Sequence, residues 1–136
     1  MAVNSKAGGK ARPLSPHLQI WRWHVTMATS ILHRATGVAN SVALLLLIAW
    51  ICSLADGEES YASFQSLVGS PFGKLVLFGV LISVSYHLWN GVRHLFFNLG
   101  IGLSKDVASK TGWGVIIIGA LGGVLLFVLG LMAAGR

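Results

Sequence analysis

The sequence predicts an all-α integral membrane protein with three transmembrane helices, preceded by a short interfacial segment. Three observations carry that expectation. Of the 136 residues, 54% are hydrophobic and only 10% are charged, with a mean hydropathy of +0.74. A soluble domain has about 25% charged residues with which to coat its surface. Three long apolar runs are separated by short polar stretches, and the basic residues gather at alternate ends of those runs. The 17 glycines fit the same solvent, because small residues let membrane helices approach closely.

Taken in order, residues 1–29 form a basic tail and interfacial segment, and residues 30–136 form the transmembrane domain. Lys6, Lys10 and Arg12 stand among small residues with no apolar core after them, so the tail is not a secretory signal. Pro13 and Pro16 bracket an irregular stretch. Ile20-Trp21-Arg22-Trp23-His24 has the amphipathic rings of a headgroup interface, and residues 18–29 either lie there as a short helix or lead into the first span. That span is expected over about residues 30–54. Roughly 25 helical residues reach about 37 Å, enough to cross a hydrocarbon layer of about 30 Å with tilt. A loop from Ala55 to Pro71 with Asp56, Glu58 and Glu59 leads to a second span over about 73–97. A polar turn over 98–112 precedes a third span over about 113–134. Gly119 and Gly123 make a GxxxG motif in that span, a helix-pairing pattern of modest specificity.

Charge supplies the expected orientation. Lys6, Lys10, Arg12, Arg22 and Arg34 precede or open the first span, and Arg93, Lys105 and Lys110 flank the second turn. The positive-inside rule places the N-terminus and the second turn in the cytoplasm and the C-terminus outside, in a multi-pass protein of a bacterial inner membrane. The net charge of +6 has no zinc-finger, RNP-like or basic-aromatic pattern beside it, so no nucleic-acid partner is expected. The one cysteine, Cys52, has no internal disulfide partner, and haem-attachment and iron–sulfur spacings are absent.

Polar residues inside the spans point to chemistry. Ser83, His87, Asn90 and His94 follow one another at spacings of four, three and four, which is one helical face. Ser30, His33, Arg34 and Gly37 open the first span. Both clusters lie near the cytoplasmic interface, where a cationic pocket suits the propionates of a haem and neutral imidazole suits its iron. His87, about 9 Å deeper than Arg93 by helical rise, is the residue expected to reach iron. His33, Arg34 and His94 are expected to stay near the carboxylates. Arg93, near the helix end, is within reach of the interface and could snorkel, so alone it says little. No second histidine lies at the depth of His87: His17 and His24 are outside the first span, and the third span has none. A haem here is either five-coordinate or ligated from another polypeptide. The competing account is a polar face that only packs against neighbouring helices.

Three motifs in order, Arg12-Pro13-Leu14-Ser15-Pro16-His17-Leu18, Ser30-Ile31-Leu32-His33-Arg34-Ala35-Thr36-Gly37 and His87-Leu88-Trp89-Asn90-Gly91-Val92-Arg93-His94-Leu95, resemble the larger cytochrome b anchor subunit of succinate dehydrogenase. The resemblance implies a haem b- and quinone-binding membrane anchor in succinate:quinone oxidoreductase (complex II). Its expected partners are a flavoprotein subunit carrying FAD, an iron–sulfur subunit carrying the clusters, and a smaller anchor subunit that shares the haem. It further implies that His87 is the axial ligand, that Ser30 and Arg34 line the quinone pocket, and that His33 and His94 lie near the propionates. The chain departs from the family pattern at Trp21, where tyrosine is common, and at Asn98, where aspartate is. The remaining alternatives are the anchor of a quinol:fumarate reductase and a non-redox transport or scaffolding protein.

Overall fold

The computed structural model describes residues 21–135. The basic tail, the Pro13–Pro16 stretch, His17 and Arg136 lie outside the described residues. Four helices follow in chain order: α1 (Val25–Asp56), α2 (Glu58–Gly69), α3 (Pro71–Asn98) and α4 (Lys105–Ala134). Of these, α1, α3 and α4 are long and apolar enough to cross a membrane, and the chain is a multi-pass membrane protein.

Burial is inverted relative to a protein folded in water. The two fully buried large side chains are Asn90 and Thr29, and Ser53, Ser83, Ser85 and Arg93 are buried as well. Leucine and valine face outward instead: Val38 is 69% exposed and Leu45 63%. Hydrocarbon solvates an outward leucine as well as a protein core does, but it offers nothing to a polar group. The polar residues therefore gather where helices touch.

The helices are longer than the apolar runs within them. α1 starts at Val25, ahead of the span expected from about residue 30, so residues 25–29 belong to the crossing helix. Just before it, Trp21 and Trp23 meet edge to face with centroids 5.8 Å apart, both more than half exposed. α4 starts at Lys105, so most of the expected turn over 98–112 is its first two turns. Hydropathy marks the part of a helix that sits in lipid and is blind to helical turns that continue into the headgroups.

The stretch expected as a loop over 55–71 contains a helix. Gly57, at φ 116°, takes a conformation closed to most side chains, and there α1 gives way to α2. Glu58 and Glu59 occupy the first turn of α2, where carboxylates complement the helix dipole. Phe64, Leu67 and Val68 recur at helical spacing and line an apolar cavity of about 380 Å³ with Trp50 of α1 and Leu77 of α3. The 12 residues of α2 reach about 18 Å, too short to cross. Ser70 then caps α3, its Oγ accepting from the Gly73 N–H at 3.0 Å, with Pro71 at the first helical position.

Packing makes α3 the central helix, in contact with both α1 and α4. Its contact with α4 runs along small residues. A Cβ on Gly123 would lie 2.6 Å from Ile82 Cα, and one on Gly119 2.7 Å from Tyr86 Cα. The GxxxG of the sequence thus joins two helices of the same chain. Phe78 and Phe127 close the far end edge to face at 5.1 Å. Gly123→Leu is expected to push α4 off α3 and destabilise the fold by about 1–3 kcal/mol. Gly130→Leu, at a position with nothing within 4 Å, is the control. Thermal unfolding of the two variants in membranes checks this, and equal melting would contradict it.

Candidate functional site

The site is built where α1 and α3 run antiparallel. On α3 the face of Ser83, His87, Asn90 and His94 turns towards α1, as its spacing predicts. α1 answers with a second stripe, Thr29, His33, Thr36 and Asn40, at the same spacings of four, three and four. Because the helices are antiparallel, the stripes pair end to end. Ser83 Oγ donates to Asn40 Oδ1 at 2.7 Å and lies 3.3 Å from the Thr36 carbonyl. Thr36 Oγ1 lies 3.2 Å from His87 Nδ1. The Thr29 carbonyl accepts from Tyr86 Oη at 2.9 Å and from Asn90 Nδ2 at 3.3 Å.

Three imidazoles sit within this seam. His33 stacks on His87 with ring centroids 4.0 Å apart and planes 11° from parallel, and His94 is 5.0 Å from His33. Asn90 Nδ2 also lies 3.3 Å from His94 Nε2. This differs from the expected separation by depth: His33 lies on the face of His87 and is not confined to a rim nearer the interface. The physical reason is the antiparallel pairing, which sets the third turn of α1 against the middle of α3. His33 Nδ1 is buried without a hydrogen-bond partner. Gly91 makes room for that ring, since a Cβ there would be 3.7 Å from His33 Cε1. Among the described residues no group of three or more His, Cys, Asp or Glu could hold a metal ion. Stacked rings present their faces to one another and do not converge their nitrogen lone pairs on a point.

Arg93 does not snorkel. It is 6% exposed and its guanidinium turns into the protein. Nε donates to Thr111 Oγ1 at 3.1 Å, Nη1 to Thr29 Oγ1 at 3.3 Å and Asn90 Oδ1 at 3.2 Å, and Nη2 to the Ala108 carbonyl at 2.8 Å. Its Cζ also lies 4.5 Å from the Phe97 ring centroid. All four acceptors are neutral, and they come from α1, α3 and α4. Once α4 is found to begin at Lys105, its first two turns stand beside Arg93 and supply acceptors at the depth where snorkelling was the alternative.

Ser30 and Arg34 share another face of α1, one turn apart. Ser30 is half-buried and Arg34 exposed, so the single chain leaves that face open. Asn98 is exposed at the end of α3. The expected cluster of Ser30, His33, Arg34 and Gly37 is therefore divided: His33 and Gly37 turn to α3, whereas Arg34 remains at the surface. Thr29, Thr36, Asn40 and Tyr86 are partners that single-residue reading passes over, because threonine, asparagine and tyrosine are ordinary in a helix. Their signal is the repeat of the α3 spacing on α1.

Comparison with known proteins decides the family. Residues 9–127 match the family described as succinate dehydrogenase/fumarate reductase transmembrane subunit. The chain is 39% identical over 118 residues to a mitochondrial succinate dehydrogenase cytochrome b560 subunit of Sus scrofa, covering 85% of this chain and 70% of that one. It is 39% identical over 117 residues to the cytochrome b556 subunit of Rickettsia felis, covering 86% and 91%, and 36% identical over 121 residues to that of Paracoccus denitrificans, covering 89% and 90%.

The chain belongs to the succinate dehydrogenase/fumarate reductase transmembrane-subunit family. As a cytochrome b membrane anchor it is a non-catalytic subunit of a succinate:quinone oxidoreductase. The match takes in α1 and α3 and reaches into α4 as far as residue 127.

Proposed function

We propose that this anchor subunit binds one side of a haem b through His87 and lines a quinone site with Ser30 and Arg34. The complex would then pass electrons from succinate, through FAD and iron–sulfur clusters in the partner subunits, to a membrane quinone. The observation that carries this reading is the state of His87. One ring nitrogen, Nδ1, is engaged by Thr36 at 3.2 Å, and that is the hydrogen bond His87 makes among the described residues, which leaves Nε2 without one. An imidazole held at one nitrogen and free at the other is the usual form of a metal ligand. The relatives are named cytochromes b, and a haem b is the group whose iron would take that nitrogen.

The neighbouring residues fit the same group. His33 Nδ1 is a buried polar atom without a partner, and a haem carboxylate is an acceptor that it and His94 could serve. When bound, the haem supplies a one-electron store beside the quinone. Among the described residues α4 contains no histidine and His24 stands before α1, so a second histidine for the same haem would come from the smaller anchor subunit.

For the quinone, Ser30 offers a hydroxyl donor to one carbonyl oxygen, and Arg34 offers a fixed positive charge for the negative charge that develops there on reduction. Two protons are needed for each quinone, and Arg34 keeps its own. Water or a residue of another subunit therefore supplies them. The exposure of Arg34 supports a pocket completed by partner chains. The relatives compared are succinate dehydrogenase subunits, which favours succinate oxidation as the working direction.

Substitutions at two positions test the proposal. His87→Met or His87→Tyr in the assembled complex is expected to change the spin state or midpoint potential of the haem, or to empty its site, because axial identity controls both. An assembled variant with unchanged low-spin spectrum and potential would remove His87 from the site. Arg34→Ala is expected to lower succinate-to-quinone transfer by about a hundredfold and to lower succinate oxidation by a soluble dye far less. Equal losses would mark Arg34 as an assembly residue.

The orientation follows from the basic excess on one side: Arg22, Arg34, Arg93, Lys105 and Lys110 at the ends read as cytoplasmic, against Lys74 alone among the described residues at the other. With Cys52 replaced by serine, Ser60→Cys is expected to react with an impermeant thiol reagent only from the outer side. Reaction confined to the cytoplasmic side would invert the topology.

A further inference from the structure

Resting on the haem reading of His87, we propose that Thr36 is a positioning residue. Its hydroxyl oxygen accepts the His87 Nδ1–H and so holds that imidazole in the tautomer whose Nε2 lone pair is free for iron.

The argument begins with the single proton of the Thr36 hydroxyl. Oγ1 lies 2.8 Å from the Leu32 carbonyl and 3.0 Å from the His33 carbonyl, both in the preceding turn of α1. A threonine hydroxyl inside a helix gives its proton to such carbonyls, and in hydrocarbon no water competes for it. The oxygen that faces His87 Nδ1 at 3.2 Å therefore presents a lone pair. Two lone pairs facing one another repel, so Nδ1 carries the hydrogen. A neutral imidazole has only one N–H, and Nε2 is left unprotonated, which is the form that binds a metal.

Two further contacts fix the ring in the orientation that makes this bond. A Cβ on Gly37 would lie 3.3 Å from His87 Cε1 and 3.9 Å from Nδ1. Glycine at that position lets the α1 backbone come up to the edge of the ring. His33 covers one face at 4.0 Å. With an edge and a face occupied, a partial rotation would drive the ring into α1 or into His33, and a half-turn, which keeps the same envelope, would forfeit the bond to Thr36. The bond also tunes the ligand, because an imidazole that donates from Nδ1 is more basic at Nε2 and favours the ferric iron.

The test uses the complete four-subunit complex and reads haem content and midpoint potential. Thr36→Val keeps the shape and removes the acceptor; it is expected to raise the midpoint potential and weaken haem retention about tenfold. Thr36→Ser restores the hydroxyl and is expected to return both values towards those of the native complex. Where Thr36→Val fails to accumulate, Thr36→Ala, smaller than the native side chain, carries the same expectation. Native potential and haem content in Thr36→Val, or equal shifts in Thr36→Val and Thr36→Ser, would overturn the proposal. His87→Met in parallel separates the two levels. If it alters the spectrum while Thr36→Val does not, only the role of Thr36 is lost. If it leaves the spectrum unchanged, the assignment of haem to His87 is lost with it.

Discussion

A polar side chain inside hydrocarbon must find its hydrogen bond within the protein, and the seam between α1 and α3 is where this chain meets that demand. Thr29 shows how fully it does so. Its carbonyl accepts from Tyr86 and Asn90, its hydroxyl accepts from Arg93, and that hydroxyl donates to the Thr26 carbonyl at 3.0 Å. Each such bond contributes modestly while it is made, and leaving one partner unpaired costs about 1–3 kcal/mol. The stripes on the two helices therefore specify one register. A shift by one helical turn would set Ser83, His87 and Asn90 against the wrong partners, although the apolar surface buried would hardly change.

The second seam, between α3 and α4, works by the opposite chemistry. Gly119 and Gly123 bring backbone against backbone, and van der Waals contact replaces hydrogen bonding as the source of cohesion. Arg93 ties the two seams together at one end, with acceptors on all three crossing helices. A buried guanidinium is costly unless its donors are satisfied, and here neutral oxygens satisfy them without a carboxylate.

The same economy explains what the chain leaves open. Residues that close the fold, such as Thr29 and Asn90, are sealed. Ser30 and Arg34 remain on an accessible face, and His87 keeps one nitrogen unused. Helical geometry thus splits α1 into two faces, with Thr29, His33, Thr36 and Asn40 towards α3 and Ser30 and Arg34 away from it.

Much of this was legible in the sequence, and the part that was not has a physical reason. Hydropathy alone determined three crossing helices, since a run such as Val38 to Leu54 has one stable environment. The four-three-four spacing on α3 determined that Ser83, His87, Asn90 and His94 share a face, because that depends only on the pitch of one helix. The motifs around His33 and His87 pointed to the family that comparison then established. Pairing between helices was beyond the sequence. Whether Arg93 snorkels or turns inward depends on the first turns of α4, and whether His33 lies against His87 or apart from it in depth depends on the antiparallel register. The helix over 58–69 was read as a loop because its acids and serines mask a short apolar face that has meaning only against Trp50 and Leu77. Local periodicity is written into each helix by its own residues. Which polar group answers which is decided only when two helices lie side by side, because a hydrogen bond in lipid is a property of the pair.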